Sequence, residues 1–320
     1  MKLILLDAKL LDDIPYQIVN QFGELKVYEE TNENEVSERI EGFDIVLTCK
    51  TPLKREQLKQ TTTIQLIVVI STGYDHIDVE YCREHNIAVT NVPGYSTHSV
   101  AQQTFALLLD LYNKTSSFTQ FIQNGKYCQL KYDHQKVQSL SFSIHEIYGK
   151  CWTICGLGAI GKQVARIATA FGANVRYFST SGKHIDNEFK QVSFEEMIKE
   201  SDIISIHCPS NDKTKGMFSF DVLSQMKKNV VIVNVARGDI VVTSDMVKAL
   251  NENIISGYAT DVFDVEPLED DNLFLTVDES KIVMSPHIGW ASQEAKKRLM
   301  DETVLNIEAF LKNEKRNRID

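Results

Sequence analysis

The stretch Trp152-Thr153-Ile154-Cys155-Gly156-Leu157-Gly158-Ala159-Ile160-Gly161, followed by the helical pattern Gln163–Ala170, decides the fold. Three glycines at this spacing arise often by chance. An apolar strand before them and a helix after them make the pattern specific. Gly156 permits the tight turn, Gly158 lets a pyrophosphate approach the backbone, and Gly161 lets helix and strand pack closely. The phosphates would sit on the helix N-terminus, where free N–H groups and the helix dipole favour negative charge.

Outward from this turn, short apolar runs alternate with stretches of helix length. Toward the N-terminus, Leu3–Leu6, Leu25–Tyr28, Ile45–Thr48, Leu66–Ile70 and Ile87–Thr90 read as strands. Asn91-Val92-Pro93-Gly94 punctuates that block, and Ser99–Tyr112 carries a broad apolar face at helical spacing. Toward the C-terminus, strands are predicted at Asn174–Phe178, Asp202–His207, Asn229–Val235, Ser256–Thr260 and Lys281–Met284, and a helix from Ala291 to Lys312. Two successive βα series predict two α/β lobes, each a doubly wound parallel sheet. Ligands in such sheets bind beyond the carboxyl ends of the strands, so an active-site cleft between the lobes is expected. The charged tail Lys312–Asp320 reads as a solvated end.

The chain has 320 residues, enough for about two domains. With 43% apolar and 24% charged residues it is an ordinary globular composition. A net charge of −10 lacks the basic footprint of a nucleic-acid binder. No run approaches about 18 apolar residues, so no membrane span is predicted. Asp7 cuts the first apolar run short of a signal-peptide core. Six scattered cysteines with no C-x-x-C read as reduced, buried thiols in a cytoplasmic protein, with no metal site.

The strand after the glycine turn normally ends on an acidic residue that bonds the adenosine ribose. Here the slot holds Ser179, followed by Thr180, Ser181 and, two places on, Lys183. Three hydroxyls, one cation and no carboxylate suit a 2′-phosphate. The reading therefore favours NADP(H) over NAD(H).

Three more strand ends carry polar residues. Val233–Asp239 places Arg237 after a strand, Asp261–Pro267 places Asp261, Asp264 and Glu266 after another, and Ser285–Trp290 places His287 after a third. A guanidinium offers a two-pronged hold on a carboxylate. A histidine beside a carboxylate has its charged form stabilised and can deliver a proton near neutral pH. With a nicotinamide, these groups are what reduction of a 2-oxo acid requires.

The chain resembles the D-2-hydroxyacid dehydrogenases, the group with glyoxylate/hydroxypyruvate reductases, glycerate and phosphoglycerate dehydrogenases and D-lactate dehydrogenases. The resemblance runs from the loop Ser71–Asp78 to His287. It rests on the glycine motif, Ala236-Arg237-Gly238, Glu266-Pro267 and Ser285-Pro286-His287. It implies two Rossmann-like lobes: residues 1–98 plus 291–320 as the substrate domain and residues 99–290 as the dinucleotide-binding domain, through which the protein would form a homodimer. It also implies roles. Arg237 would bind the substrate carboxylate, His287 would move the proton, and Glu266 would hydrogen-bond His287. Backbone amides of Thr72 and Gly73 would complete the carboxylate site. Leu157, Ala159 and Ile160 of the glycine turn, Ala236, Asp261 and Gly289 would contact the cofactor, with Asp261 on the nicotinamide carboxamide. His207-Cys208-Pro209 and Thr214 would flank the adenine end, and Thr104 would touch the phosphate or nicotinamide side.

The sequence departs from the family pattern at Gln102, Thr153 and Ser179, where glutamate, glycine and aspartate are common. Trp290 resembles the hydroxypyruvate/glycerate subgroup and suits a small polar substrate. The expected activity is therefore hydride exchange with a small 2-oxo or D-2-hydroxy acid, hydroxypyruvate or glyoxylate first. D-lactate or a branched 2-hydroxy acid is the alternative substrate. A nucleotide-sensing protein like the C-terminal-binding-protein corepressors, or an enzyme acting on formate or phosphite, are the alternative functions on the same fold.

Overall fold

Continuous apolar runs, buried on both faces, build two parallel sheets. The computed structural model describes residues 1–128, 143–182 and 185–320, and it divides into two units. Unit 1 is Met1–Ser96 with Ala291–Asp320, and unit 2 is Thr97–Trp290. The boundary lies two residues before the expected one, because the helix read from Ser99 already begins at Thr97.

Unit 1 holds strands β1 (Lys2–Leu5), β2 (Glu24–Val27), β3 (Ile45–Thr48), β4 (Leu66–Val69) and β5 (Ala88–Thr90) in the order β2-β1-β3-β4-β5. The order reverses between β1 and β3, where an open α/β sheet has its ligand crevice. Here Asp7 fills it. Its buried carboxylate accepts from the backbone N–H groups of Cys49, Lys50 and Thr51 and from the Thr48 and Thr51 hydroxyls. Such a carboxylate organises the loop after β3.

The tail reading is corrected. Residues 317–320 run along β5 rather than into solvent: Asn91 N–H donates to Asn317 O, Ile319 N–H to Val89 O, and Val89 N–H to the Asp320 carboxylate. β5 is the edge strand, and its unpaired backbone groups favour a partner strand whatever the tail's charge.

Unit 2 holds β6 (Cys151–Cys155), β7 (Asn174–Phe178), β8 (Lys190–Gln191), β9 (Ile203–Ile206), β10 (Val231–Asn234), β11 (Gly257–Thr260) and β12 (Ile282–Met284). All pair in parallel in the order β12-β11-β10-β9-β6-β7-β8. β8 was not foreseen; its two residues are exposed and carry no apolar signal. One face is covered by the helices Thr97–Asn113 and Ala159–Ala170 and the other by Phe194–Glu200 and Thr243–Asn251. Each fully buried aliphatic side chain contributes about 1.5–3 kcal/mol, so packing outweighs strand propensity in setting this sheet. Fully buried Trp152 donates its indole N–H to Ser205 Oγ at 2.9 Å, so its one polar group is satisfied.

The cysteines are free, but not all are buried. Cys128 is exposed and Cys151 half-buried. Among the described residues no helix is long and apolar enough to cross a membrane.

Candidate active site

The order of the seven-stranded sheet reverses at β6, with β7 on one side and β9 on the other. The glycine turn leaves β6 at this switch point, so the fold itself opens a crevice there. Gly156 has φ +98°, and a Cβ on it would lie 2.6 Å from Cys208 N. A Cβ on Gly161 would lie 2.2 Å from Gly156 O. Only glycine fits either place. At Gly158 a Cβ would meet nothing within 4 Å, which leaves open space above the turn. The helix Ala159–Ala170 starts here with no side chain capping it. Its first N–H groups therefore face that space without an intrahelical partner. The open space and the uncapped helix start leave room for a pyrophosphate, and Leu157, Ala159 and Ile160 belong to the same turn by sequence position.

After β7, Gly182 N–H closes a turn on Ser179 O at 3.2 Å. Ser179 is buried, Thr180 half-buried and Ser181 exposed; Lys183 lies outside the described residues. The next carboxylate along, Asp186, is paired with Lys162 at 2.7 Å. No carboxylate stands at the strand end itself. The other two departures are also accommodated. Gln102 is exposed. Buried Thr153 shares a 2.6 Å hydrogen bond with Ser201 Oγ and accepts from Arg176 Nε.

His207, Cys208 and Pro209 follow β9. Among the described residues neither ring nitrogen of His207 has a hydrogen-bond partner, and burial pushes this imidazole down to about 3. It stays neutral and cannot serve as the proton donor. Thr104 is fully buried and donates to Val100 O, and Thr214 is fully buried and donates to Pro209 O. Both hydroxyls tie their own segments.

Arg237, Glu266 and His287 follow β10, β11 and β12, all at the carboxyl edge. Buried Asn234 shapes the arginine turn, donating to Arg237 O at 2.9 Å and accepting from Ala236 N–H at 3.1 Å. A Cβ on Gly238 would lie 1.9 Å from the Phe263 carbonyl carbon, so the arginine turn packs directly on the backbone leading to Glu266. Glu266 Oε1 accepts from Phe263 N–H at 3.1 Å. Its Oε2 lies 2.7 Å from His287 Nδ1. An ionised carboxylate only accepts, so Nδ1 carries the proton in this bond and Nε2 is left outside it. Among the described residues Nε2 has no partner. Asp264 is exposed.

His287 holds a left-handed backbone, φ +55°. Asp261, buried to 3% exposure, explains how. Its Oδ1 accepts from Ser285 Oγ at 2.6 Å and Ile288 N–H at 3.0 Å, and its Oδ2 accepts from Gly289 N–H at 2.8 Å. Three of its acceptor positions are thus already used on the histidine turn, a role the sequence reading did not assign. Ser285 and Asn234 were likewise missed. Each is a polar residue at the last position of a strand or just beyond it, which is the signal that could have marked them.

In unit 1, Ser71–Gly73 follows β4. Ser71 Oγ donates to Gly73 O at 2.7 Å, Thr72 Oγ1 donates to Val92 O at 2.9 Å, and Thr72 O accepts from Asn91 Nδ2 at 2.8 Å. The Thr72 and Gly73 N–H groups have no acceptor among the described residues.

A family model described as D-isomer specific 2-hydroxyacid dehydrogenase, NAD binding domain, matches residues 105–289. A hydroxypyruvate reductase from Blautia hydrogenotrophica is 34% identical over 98% of this chain and 97% of its own length. A glycerate dehydrogenase from Methylorubrum extorquens is 30% identical over 100% of this chain and 99% of its own. Among solved structures, an acyclic imino acid reductase in complex with NADPH and D-Arg superposes with a TM-score of 0.86 at 29% identity, covering 100% of both chains.

Proposed function

The chain belongs to the D-isomer specific 2-hydroxyacid dehydrogenase family and is a nicotinamide-dependent oxidoreductase; on that premise we propose that it reduces hydroxypyruvate or glyoxylate to D-glycerate or glycolate. The 2.7 Å bond between His287 Nδ1 and Glu266 Oε2 carries this reading. It holds an imidazole in the one tautomer that leaves Nε2 for a substrate oxygen. The names of the two relatives and the bulky Trp290 beside the histidine turn support a small polar acid.

A nicotinamide dinucleotide, its pyrophosphate held at the glycine turn, would supply the hydride. The chain's own groups do the rest. Arg237 pairs with the substrate carboxylate. Protonated His287 gives its Nε2 proton to the carbonyl oxygen as the alcohol forms. Glu266 stabilises the imidazolium and keeps the ring from turning. In the reverse direction neutral His287 takes the proton back.

The test is a substrate panel of glyoxylate, hydroxypyruvate and pyruvate, followed by absorbance at 340 nm, with chiral analysis of the product. Turnover to a D-2-hydroxy acid is expected. No turnover on any 2-oxo acid overturns the reading.

NADPH is the proposed cofactor. The absence of a carboxylate at Ser179 supports this, since an acidic group there repels a 2′-phosphate and holds a 2′-hydroxyl. The kcat/KM with NADPH is expected to exceed that with NADH. An advantage of about tenfold for NADH, about 1.4 kcal/mol, would overturn the preference.

A further inference from the structure

We propose that Ser99 and Gln103 position His287 by gripping both ends of its turn. The inference rests on His287 being the proton donor. The two residues stand four apart on the helix Thr97–Asn113, hence on one face. Ser99 Oγ donates to Gly289 O at 2.5 Å, after the histidine. Gln103 Nε2 donates to Ser285 Oγ at 2.9 Å, before it. Both partners lie more than 180 positions away in sequence, at |i−j| of 190 and 182.

The Gln103 bond also has a polarity. An amide NH2 can only donate, so Ser285 Oγ accepts there and must turn its own proton toward Asp261 Oδ1, 2.6 Å away. Asp261 then gathers the Ser285 hydroxyl and the two N–H groups that follow His287. A left-handed backbone at a non-glycine residue costs about 1–3 kcal/mol and persists only where the surroundings over-determine it. The helix face and Asp261 supply that determination. The turn in turn sets where the imidazole meets Glu266. Gln103 therefore acts through Ser285 and the turn, without touching the substrate.

Two substitutions separate this role from simple packing. Gln103→Met keeps the volume and removes the donor. Gln103→Glu adds an acceptor that competes with Asp261 for the Ser285 proton. Loss of one hydrogen bond is worth about 1 kcal/mol, so Gln103→Met is expected to lower kcat about fivefold, with Gln103→Glu lower still, while KM for the 2-oxo acid and the Tm stay near wild type. Ser285→Ala should follow Gln103→Met, and Ser285→Thr, which keeps the hydroxyl, should recover kcat. Ser99→Ala checks the other grip independently if a Gln103 variant fails to fold.

A second readout needs no turnover. The downfield proton resonance of the His287 Nδ1–H, assigned by its loss in His287→Asn, should broaden in Gln103→Met and Ser285→Ala and persist in Ser285→Thr. An unchanged resonance and unchanged kcat in Gln103→Met overturn the positioning role. A resonance that responds as described in a protein inactive on every 2-oxo acid overturns the assigned function and leaves the positioning intact.

Discussion

Replacing His287 with alanine or asparagine is expected to lower kcat for 2-oxo acid reduction by about 10²–10⁴-fold, the usual range for one general acid. His287 is the histidine at the carboxyl edge that has a carboxylate on one ring nitrogen and an open position at the other. His207, the other histidine at a strand end, stays neutral because burial holds it near 3. Asparagine is the better probe. The position has φ +55°, which asparagine tolerates well, so this variant removes the imidazole with little added backbone strain. Dinucleotide binding should survive, because the glycine turn belongs to β6 and not to β12. Steady-state kinetics with a fluorescence titration of the reduced dinucleotide check both parts. Undiminished kcat in the asparagine variant would remove His287 from the chemistry.

Arg237→Met is expected to cut kcat/KM for the 2-oxo acid by about 30- to 1000-fold, about 2–4 kcal/mol, most of it through KM. Methionine keeps much of the side chain's bulk, so the loss reads the charge and the fork. The guanidinium is half-buried, which places the effect below that of a fully buried pair. The turn keeps its two Asn234 bonds in this variant, although it loses the one that the arginine head donates to Ala236 O at 2.8 Å. Arg237→Lys should recover only part of the loss, because an ammonium cannot make two parallel bonds to a carboxylate. A KM unchanged in Arg237→Met would show that the substrate carboxylate is held elsewhere.

Much of the sheet was readable in advance because a strand buried on both faces must be apolar throughout, and that pattern is local. Ile45–Thr48 and Asn174–Phe178 match their predicted bounds, and the others differ by a residue or two at their ends. The glycine turn was readable for the same reason: strand, turn and helix are consecutive, and Gly156 and Gly161 answer to neighbours within or beside that unit. Lys190–Gln191 and the tail beside β5 escaped because edge pairing is a backbone affair that leaves little mark on side-chain polarity. The backbone bonds of Thr104 and Thr214 were not legible, because a hydroxyl in a helix or loop bonds its own backbone as readily as a ligand, and sequence does not distinguish the two.

By itself the sequence determined two parallel α/β units, a glycine turn between strand and helix, and an arginine, a carboxylate and a histidine at successive strand ends. Those follow from periodicity and from the conformations that glycine alone adopts. The tertiary structure decided how those strand ends are used: Glu266 against the imidazole, Asp261 beneath its turn, Ser99 and Gln103 across its ends. Such pairings depend on which strands lie side by side and how far each loop reaches, and the order β11-β12 in the sheet is not written in any local stretch of chain.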